Sequence, residues 1–180
     1  MIETERLLLR PLRREDLPAF VAYRGDPAVA AFQSWDAAFS MADAEALLAG
    51  MEAVAFGTVG EWLQIAITDA RTGALLGDCA VHVSAEPPRT AEVGVTLSRD
   101  HQGRGFAREA LRALIGALFG ELGMHRVVAR ADDRNAAVHR LLEGVGMRLE
   151  GRLVEADWFK GEWATLRVYA LLAREHGAER

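Results

Sequence analysis

The sequence predicts a single α+β domain organised on a mixed sheet, and three observations carry that prediction. The apolar runs Trp62 to Thr68 and Ala74 to Val81 are separated by Asp69-Ala70-Arg71-Thr72-Gly73. A short link with Asp at its start and Gly at its end marks an antiparallel hairpin. Further on, a strand candidate at Ala91 to Leu97 precedes a long amphipathic helix opening at Phe106, and another strand candidate follows at His125 to Ala131. Strand, helix and strand in that order predict a parallel crossover. Finally, 180 residues with a hydrophobic fraction of 51% and a charged fraction of 26% fit one domain with one sizeable core.

Taken in order, Arg6-Leu7-Leu8-Leu9-Arg10 is the first strand candidate. A helix near Glu15 to Arg24 carries the acidic pair Glu15-Asp16 in its first turn, where the helix dipole favours negative charge. Leu17, Phe20 and Val21 share its apolar face, and Pro18 falls early enough to be tolerated. Ser40 suits the N-cap of a second helix through Ala44, Leu47, Leu48 and Met51, and both helices are expected to cover a sheet. After the hairpin, Glu86-Pro87-Pro88-Arg89 breaks the pattern ahead of the Ala91 strand.

In the long helix, Phe106, Ala110, Leu114 and Leu118, with Leu111, Ile115 and Phe119, make a broad apolar surface that Gly120 or Gly123 ends. Asn135 can cap a further helix whose Val138, Leu141, Leu142 and Val145 read as core and which Gly146 stops. Arg148 to Glu155 and Trp163 to Leu172 read as two strands around the connection Asp157-Trp158-Phe159-Lys160-Gly161-Glu162. No linker, low-complexity run or repeat divides the chain, so residues 3–172 are expected to form one domain and 173–180 a flexible tail.

Composition narrows the function. A formal net charge of -5, from 26 acidic and 21 basic side chains, disfavours a broad nucleic-acid footprint. Cys79 is the only cysteine, so no intrachain disulfide exists, and Asp78 with Ala80-Val81 place it on a strand rather than in redox chemistry. The amino terminus shows no basic region followed by a long apolar segment, and no later run reaches membrane-spanning length; a cytoplasmic location with no membrane partner is expected. His82, His101, His125, His139 and His176 make no metal-ligand pattern, and no metal is expected.

The run Gln102-Gly103-Arg104-Gly105-Phe106-Ala107-Arg108 joins a glycine-rich turn to the start of a helix, directly after a strand candidate. Glycine permits a tight turn and close approach, and a first helical turn leaves about four amides without internal partners. Such amides, with the helix field and Arg104 and Arg108 nearby, can grip phosphoryl oxygens. A phosphate-loop NTPase would need a longer glycine run ending in Lys and Ser or Thr, and a dinucleotide fold would place its fingerprint after the first strand. Neither pattern is present. Taken alone, the turn remains open between a phosphate site and a tight strand-to-helix junction.

Thr4-Glu5-Arg6-Leu7-x-Leu9-Arg10-Pro11-Leu12, then Ala91-Glu92-Val93-Gly94, then Gln102-x-x-Gly105-x-Ala107 together resemble the GCN5-related N-acetyltransferase (GNAT) superfamily. With Asn135 and Gly146-Met147 following, the order resembles the branch of ribosomal-protein amino-terminal acetyltransferases (RimJ/RimL-like), over about residues 3 to 172. The resemblance implies an αβα-layered acyltransferase fold, a mixed central sheet with helices on both faces. It implies acetyl-CoA as cosubstrate, its pyrophosphate on the amides of Gln102, Gly103, Arg104, Gly105, Phe106, Ala107 and Arg108. Val95, Thr96 and Leu97 would engage the pantetheine arm beside a splay from the next parallel strand, and Asn135 either contacts that arm or only caps its helix.

Acyl transfer needs a free amine, whereas a lysine ammonium with a reference pKa near 10.4 is overwhelmingly protonated at neutral pH. Glu92, on the strand whose end approaches the thioester in the resembled fold, is the candidate general base; an ordinary sheet carboxylate is the alternative. Glu92, Gly94 and Thr96 share one face if no bulge intervenes. Many superfamily members carry a tyrosine seven residues after Asn135 and the ribosomal-type branch often a serine three after it; this chain has Leu142 and Val138 there. Water, substrate or another side chain must then complete proton transfer.

Trp35, Asp157, Trp158 and Glu162 are candidate acceptor-binding residues, the aromatics as rigid walls and Glu162 as an ammonium attractor. Loop packing or a homodimer contact is the alternative. The resulting expectation is direct acetyl transfer to an amine. A protein amino terminus is the leading acceptor; a small-molecule amine such as an aminoglycoside or polyamine is the alternative, and a noncatalytic acyl-CoA sensor or assembly protein the third reading.

Overall fold

A computed structural model describes residues 1–177. Eight strands form one sheet: β1 (Ile2–Glu3), β2 (Leu7–Pro11), β3 (Trp62–Asp69), β4 (Leu75–Ser84), β5 (Thr90–Leu97), β6 (Arg126–Asp132), β7 (Arg148–Phe159) and β8 (Glu162–Leu172). Their order across the sheet is β1-β2-β3-β4-β5-β6-β8-β7. β3 and β4 make the expected antiparallel hairpin, and β5 and β6 run parallel across the expected crossover.

Helices cover both faces. α4 (Phe106–Gly120) lays Phe106, Ala110, Leu111, Leu114, Ile115 and Leu118 on Ile65, Ile67, Cys79, Val81, Val93 and Leu97. α5 (Ala136–Gly144) adds Leu142 to the same core. On the other face α1 (Leu17–Arg24) and α3 (Met41–Gly50) bury Leu17, Phe20, Tyr23 and Ala44 against Ala66. Ser40 caps α3 in a reciprocal pair with Asp43, as its position predicts. Between them lies a short α2 (Pro27–Ala30), capped by Asp26 and too brief to leave a periodic signal.

The carboxy-terminal hairpin differs from expectation. Asp157-Trp158-Phe159 and Glu162 belong to the strands, and the connection shrinks to Lys160-Gly161, with φ of 49° and 84°. Two left-handed residues match the right-handed twist of a two-residue hairpin, and a register shift between Leu153 and Asp157 lets β7 continue past its bulge. Beyond β8, residues 173–177 form a turn in which Glu175 accepts from the Leu172 amide at 2.9 Å and pairs with Arg148. The remainder of the expected tail, 178–180, lies outside the described residues. No helix among the described residues is long and apolar enough to cross a membrane.

Candidate active site

The parallel pair β5–β6 is registered only from Thr90↔Arg126 to Glu92↔Val128. Past that point each strand stays with its outer neighbour: β5 pairs with β4 as far as Leu97, and β6 with β8 as far as Asp132. The strands therefore part at Glu92, and main-chain groups of Val93 to Leu97 are left without a ladder on that side. The gap is lined by Val93, Gly94, Val95, Ala129 to Asp132, Asn135, Val138 and Leu142, with Phe32 and Gln33 over it.

At the end of β5 the chain turns into α4. Gly103 and Gly105 have φ of 71° and 83°, a left-handed geometry that costs most residues about 1–2 kcal/mol. Gly105 is the N-cap and no side chain caps α4, so its first-turn amides face the exposed turn. Gln102 ties the turn to the strand, its Nε2 donating to Leu97 O at 3.0 Å. Phe106 is buried in the core, so only its amide is offered. Of the two expected arginines, Arg104 lies over the Phe106 ring at 5.1 Å and Arg108 reaches the end of α5 beside Gly144.

The amino-terminal motif has a structural role that its sequence alone does not reveal. Glu109, in the first turn of α4, accepts from Thr4 Oγ1 at 2.6 Å, from the Arg6 amide at 3.0 Å and from Arg6 Nε at 2.7 Å. Arg6 also donates to Arg104 O at 3.1 Å and lies 4.5 Å over the Phe106 ring. Burial pushes the Glu109 carboxyl upward, but the hydrogen bonds from Thr4 and Arg6 and the Arg6 charge outweigh it and hold the group below its ordinary value. The glycine turn is thus clamped from the β1–β2 connection, a contact between segments about 100 residues apart.

The β4–β5 register runs without a shift from Gly77↔Leu97 to Ser84↔Thr90, so the alternation holds. Glu92, Gly94 and Thr96 face the α1–α3 side with their partners His82, Ala80 and Asp78, while Val93, Val95 and Leu97 face α4. Val95 lines the gap, whereas Thr96 and Leu97 are buried and offer it main chain only. The Glu92 carboxylate, at the closed end of the gap, lies 3.5 Å from Arg130 Nη1 and remains 22% exposed. Beside it is His82, whose ring packs 5.2 Å from Trp62. Neither His82 nor Arg130 stood out in the sequence; strict alternation from Glu92 across the hairpin was the available signal.

Asn135 caps α5, its Oδ1 accepting from the Val138 amide at 3.2 Å, and the residue also lines the gap. Trp35, between α2 and α3, donates from Nε1 to Arg24 O at 3.3 Å and covers the Arg24 guanidinium at 3.7 Å. Arg24 in turn pairs with Asp78 at 3.2 Å, and Tyr23 donates to the same carboxylate, all three nearly fully buried. Burial pushes the Asp78 carboxyl up against the pull of Arg24, and burial with the Asp78 charge pushes the Tyr23 phenol well up. This triad carries the loop that bears Phe32, Gln33 and Trp35.

On the hairpin, Trp158 and Trp163 are largely exposed and meet edge to face at 5.3 Å. Asp157 is exposed opposite Ala164. Glu162 is paired at 2.6 Å with Arg134, which also grips Asp132 at the gap. Cys79 is buried and its thiol pushed far up by burial, which removes it as a nucleophile. Among the described residues no group of three or more His, Cys, Asp or Glu could hold a metal ion.

Residues 6–148 match the family model described as Acetyltransferase (GNAT) domain. The chain is 28% identical over 173 residues to the uncharacterized N-acetyltransferase p20 of Bacillus licheniformis, covering 96% of each. It is 31% identical over 108 residues to a putative ribosomal N-acetyltransferase of Bacillus subtilis, 60% of this chain and 59% of that one. The structure superposes with a TM-score of 0.82 on the spermidine N-acetyltransferase of Vibrio cholerae in complex with CoA and spermine, at 22% identity, over 96% of this chain and 99% of the other.

Proposed function

The chain belongs to the acetyltransferase (GNAT) family and is an acetyl-CoA-dependent N-acetyltransferase; from that premise we propose that its acceptor is a protein amino terminus and that transfer occurs near the point where β5 and β6 part. The observation that carries this reading is an alignment. The uncapped start of α4 stands at the far end of the same strand whose unpaired edge leads back to Glu92.

The residues fit the donor. First-turn amides from Gly105 onward, with Gly103 and Arg104 beside them, suit a pyrophosphate. The pantetheine arm carries amides that can pair with the free edge at Val93 to Leu97 as an added strand would. Asn135, Val138 and Leu142 make the opposite wall. A donor so held would present its acetyl thioester along this edge, where Gly94 leaves room on the α1–α3 side for an amine to approach.

Proton chemistry favours an α-amino group. At pH 7 an α-amine with a pKa near 7.8 is roughly one-seventh free base, whereas an alkyl ammonium near 10.4 is free in roughly one molecule in 2,500. An α-amine thus needs only modest help, which Glu92, directly or through water, can give by accepting the proton released as nitrogen bonds to the carbonyl carbon. A thiolate is a far weaker base than an alkoxide or an amide anion, so coenzyme A can depart as the anion and take its proton from water afterwards. Leu142 and Val138, which offer no acid, are consistent with such a substrate.

A polyamine is the second reading, favoured by the CoA and spermine complex of the superposed neighbour and by the net charge of -5. The test is an acetyl-transfer panel of amino-terminal peptides, lysine side chains, amino sugars and polyamines with mass detection of products. Preferred transfer to peptide α-amines supports the main reading. Preferred transfer to polyamines replaces it, and tight donor binding without turnover on any amine returns the sensor reading.

A further inference from the structure

Lys160 is the only lysine of the chain, and it sits at the tip of the β7–β8 hairpin, in a two-residue turn with Gly161. Its side chain does not extend into solvent. Nζ donates to Ala30 O at 2.6 Å and to Trp35 O at 2.9 Å, and Asp36 Oδ1 lies 3.7 Å away. The ammonium therefore holds both ends of the segment 30–35, and that segment carries Phe32 and Gln33, which lie over the gap between β5 and β6. We propose that Lys160 is a positioning residue for acetyl transfer: it fixes Phe32 and Gln33 over the reacting groups and so sets the acceptor side of the site from a distant hairpin.

Three features support the assignment. Two main-chain carbonyls accept from the ammonium while the Asp36 carboxylate stands close enough to pair with its charge, and charge-assisted bonds are the stronger class. The partners are main-chain carbonyls, so the contact fixes the loop's path rather than one side chain. A second tie works in the same direction: Arg134, bridging Asp132 and Glu162, lies 5.9 Å from the Phe32 ring. Loop and hairpin thus meet over the gap through two cations, only one of which, Lys160, grips the loop's backbone. None of these contacts reaches the glycine turn, so the pyrophosphate end of the donor site is left alone.

The inference rests on the proposed site but can be tested apart from it. Amide exchange of segment 31–39 should speed about tenfold or more in Lys160→Met, as expected when charge-assisted bonds holding a loop are lost, and Lys160→Arg should restore most of the protection. In the acetyl-transfer assay, Lys160→Met should raise the KM for the amine about tenfold, change coenzyme A affinity by less than that, and be rescued by Lys160→Arg. Unchanged exchange in Lys160→Met overturns the latch. Faster exchange with an unchanged amine KM overturns its role in the reaction. An absence of transfer by the wild-type chain on every amine counts against the proposed function alone, since the exchange result still decides the latch.

Discussion

Replacing Gly94 by Val separates the site from the fold. A Cβ built at Gly94 meets only Ala80 Cβ, at 3.8 Å, an ordinary contact, and the residue's φ is not left-handed. Valine suits a strand better than glycine, by up to about 1 kcal/mol, so the variant should be as stable as the parent or slightly more so. Its methyls, however, project on the Glu92 side of the sheet, two residues from the carboxylate, at the gap. Reacting groups displaced by about 1 Å lose about a hundredfold in rate. We therefore expect kcat/KM for the amine to fall about a hundredfold, with an unshifted or raised denaturation midpoint and donor binding within severalfold. Stopped assays with product mass detection, alongside urea unfolding, read both quantities. A stable Val variant that transfers acetyl at the parent rate would refute the placement of the reaction at this gap.

Other perturbations address other links. Glu92→Gln should lower kcat about a hundredfold or more at unchanged coenzyme A affinity, the usual range for loss of a general base; an unchanged rate and pH profile would end that assignment. At Gly77 an added Cβ would lie 2.1 Å from Thr96 O, a main-chain atom that cannot swing aside, so Gly77→Ala should destabilise by about 1–3 kcal/mol in urea unfolding. For Glu109 the sign follows from a folded value below the unfolded one: its stabilisation is complete above the unfolded value near 4.3 and is lost as pH falls through the folded value. The parent should accordingly lose more stability than Glu109→Gln between about pH 5 and pH 3, as chemical denaturation at stepped pH will record.

Legibility followed the range of the interactions. The α4 turn is specified within seven consecutive residues, since glycine at left-handed φ and an uncapped helix start are local properties. The β3–β4 hairpin, the Ser40 cap and the alternation along β5 are local too, and each appears where the sequence placed it. The clamp of Thr4 and Arg6 on Glu109 depends on pairing across about 100 residues and left no periodic trace. Lys160 was hidden for a further reason: the stretch 157–162 read as a loop, because its aromatics alternate only once the bulge after Leu153 is allowed for.

The two halves of the site are built by different means, and that difference bears on what relatives share. The donor half, as proposed, is chiefly main chain: amides at a helix start, and a strand edge freed because β5 and β6 each follow an outer neighbour. Such groups survive most side-chain substitutions, so they can persist at 22–31% identity, the range spanned by the relatives compared above. The acceptor half, as proposed, is side chains from separate segments: Trp35 and Phe32 from the loop, His82 from β4, Arg134 from the β6–α5 turn, and Lys160 with Glu162 from the last hairpin. Its shape changes with any one of them. One chain family can therefore hold the same donor while a putative ribosomal acetyltransferase and a spermidine acetyltransferase stand among its members, and the acceptor of this chain must be sought in the clasp of loop and hairpin rather than in the glycine turn.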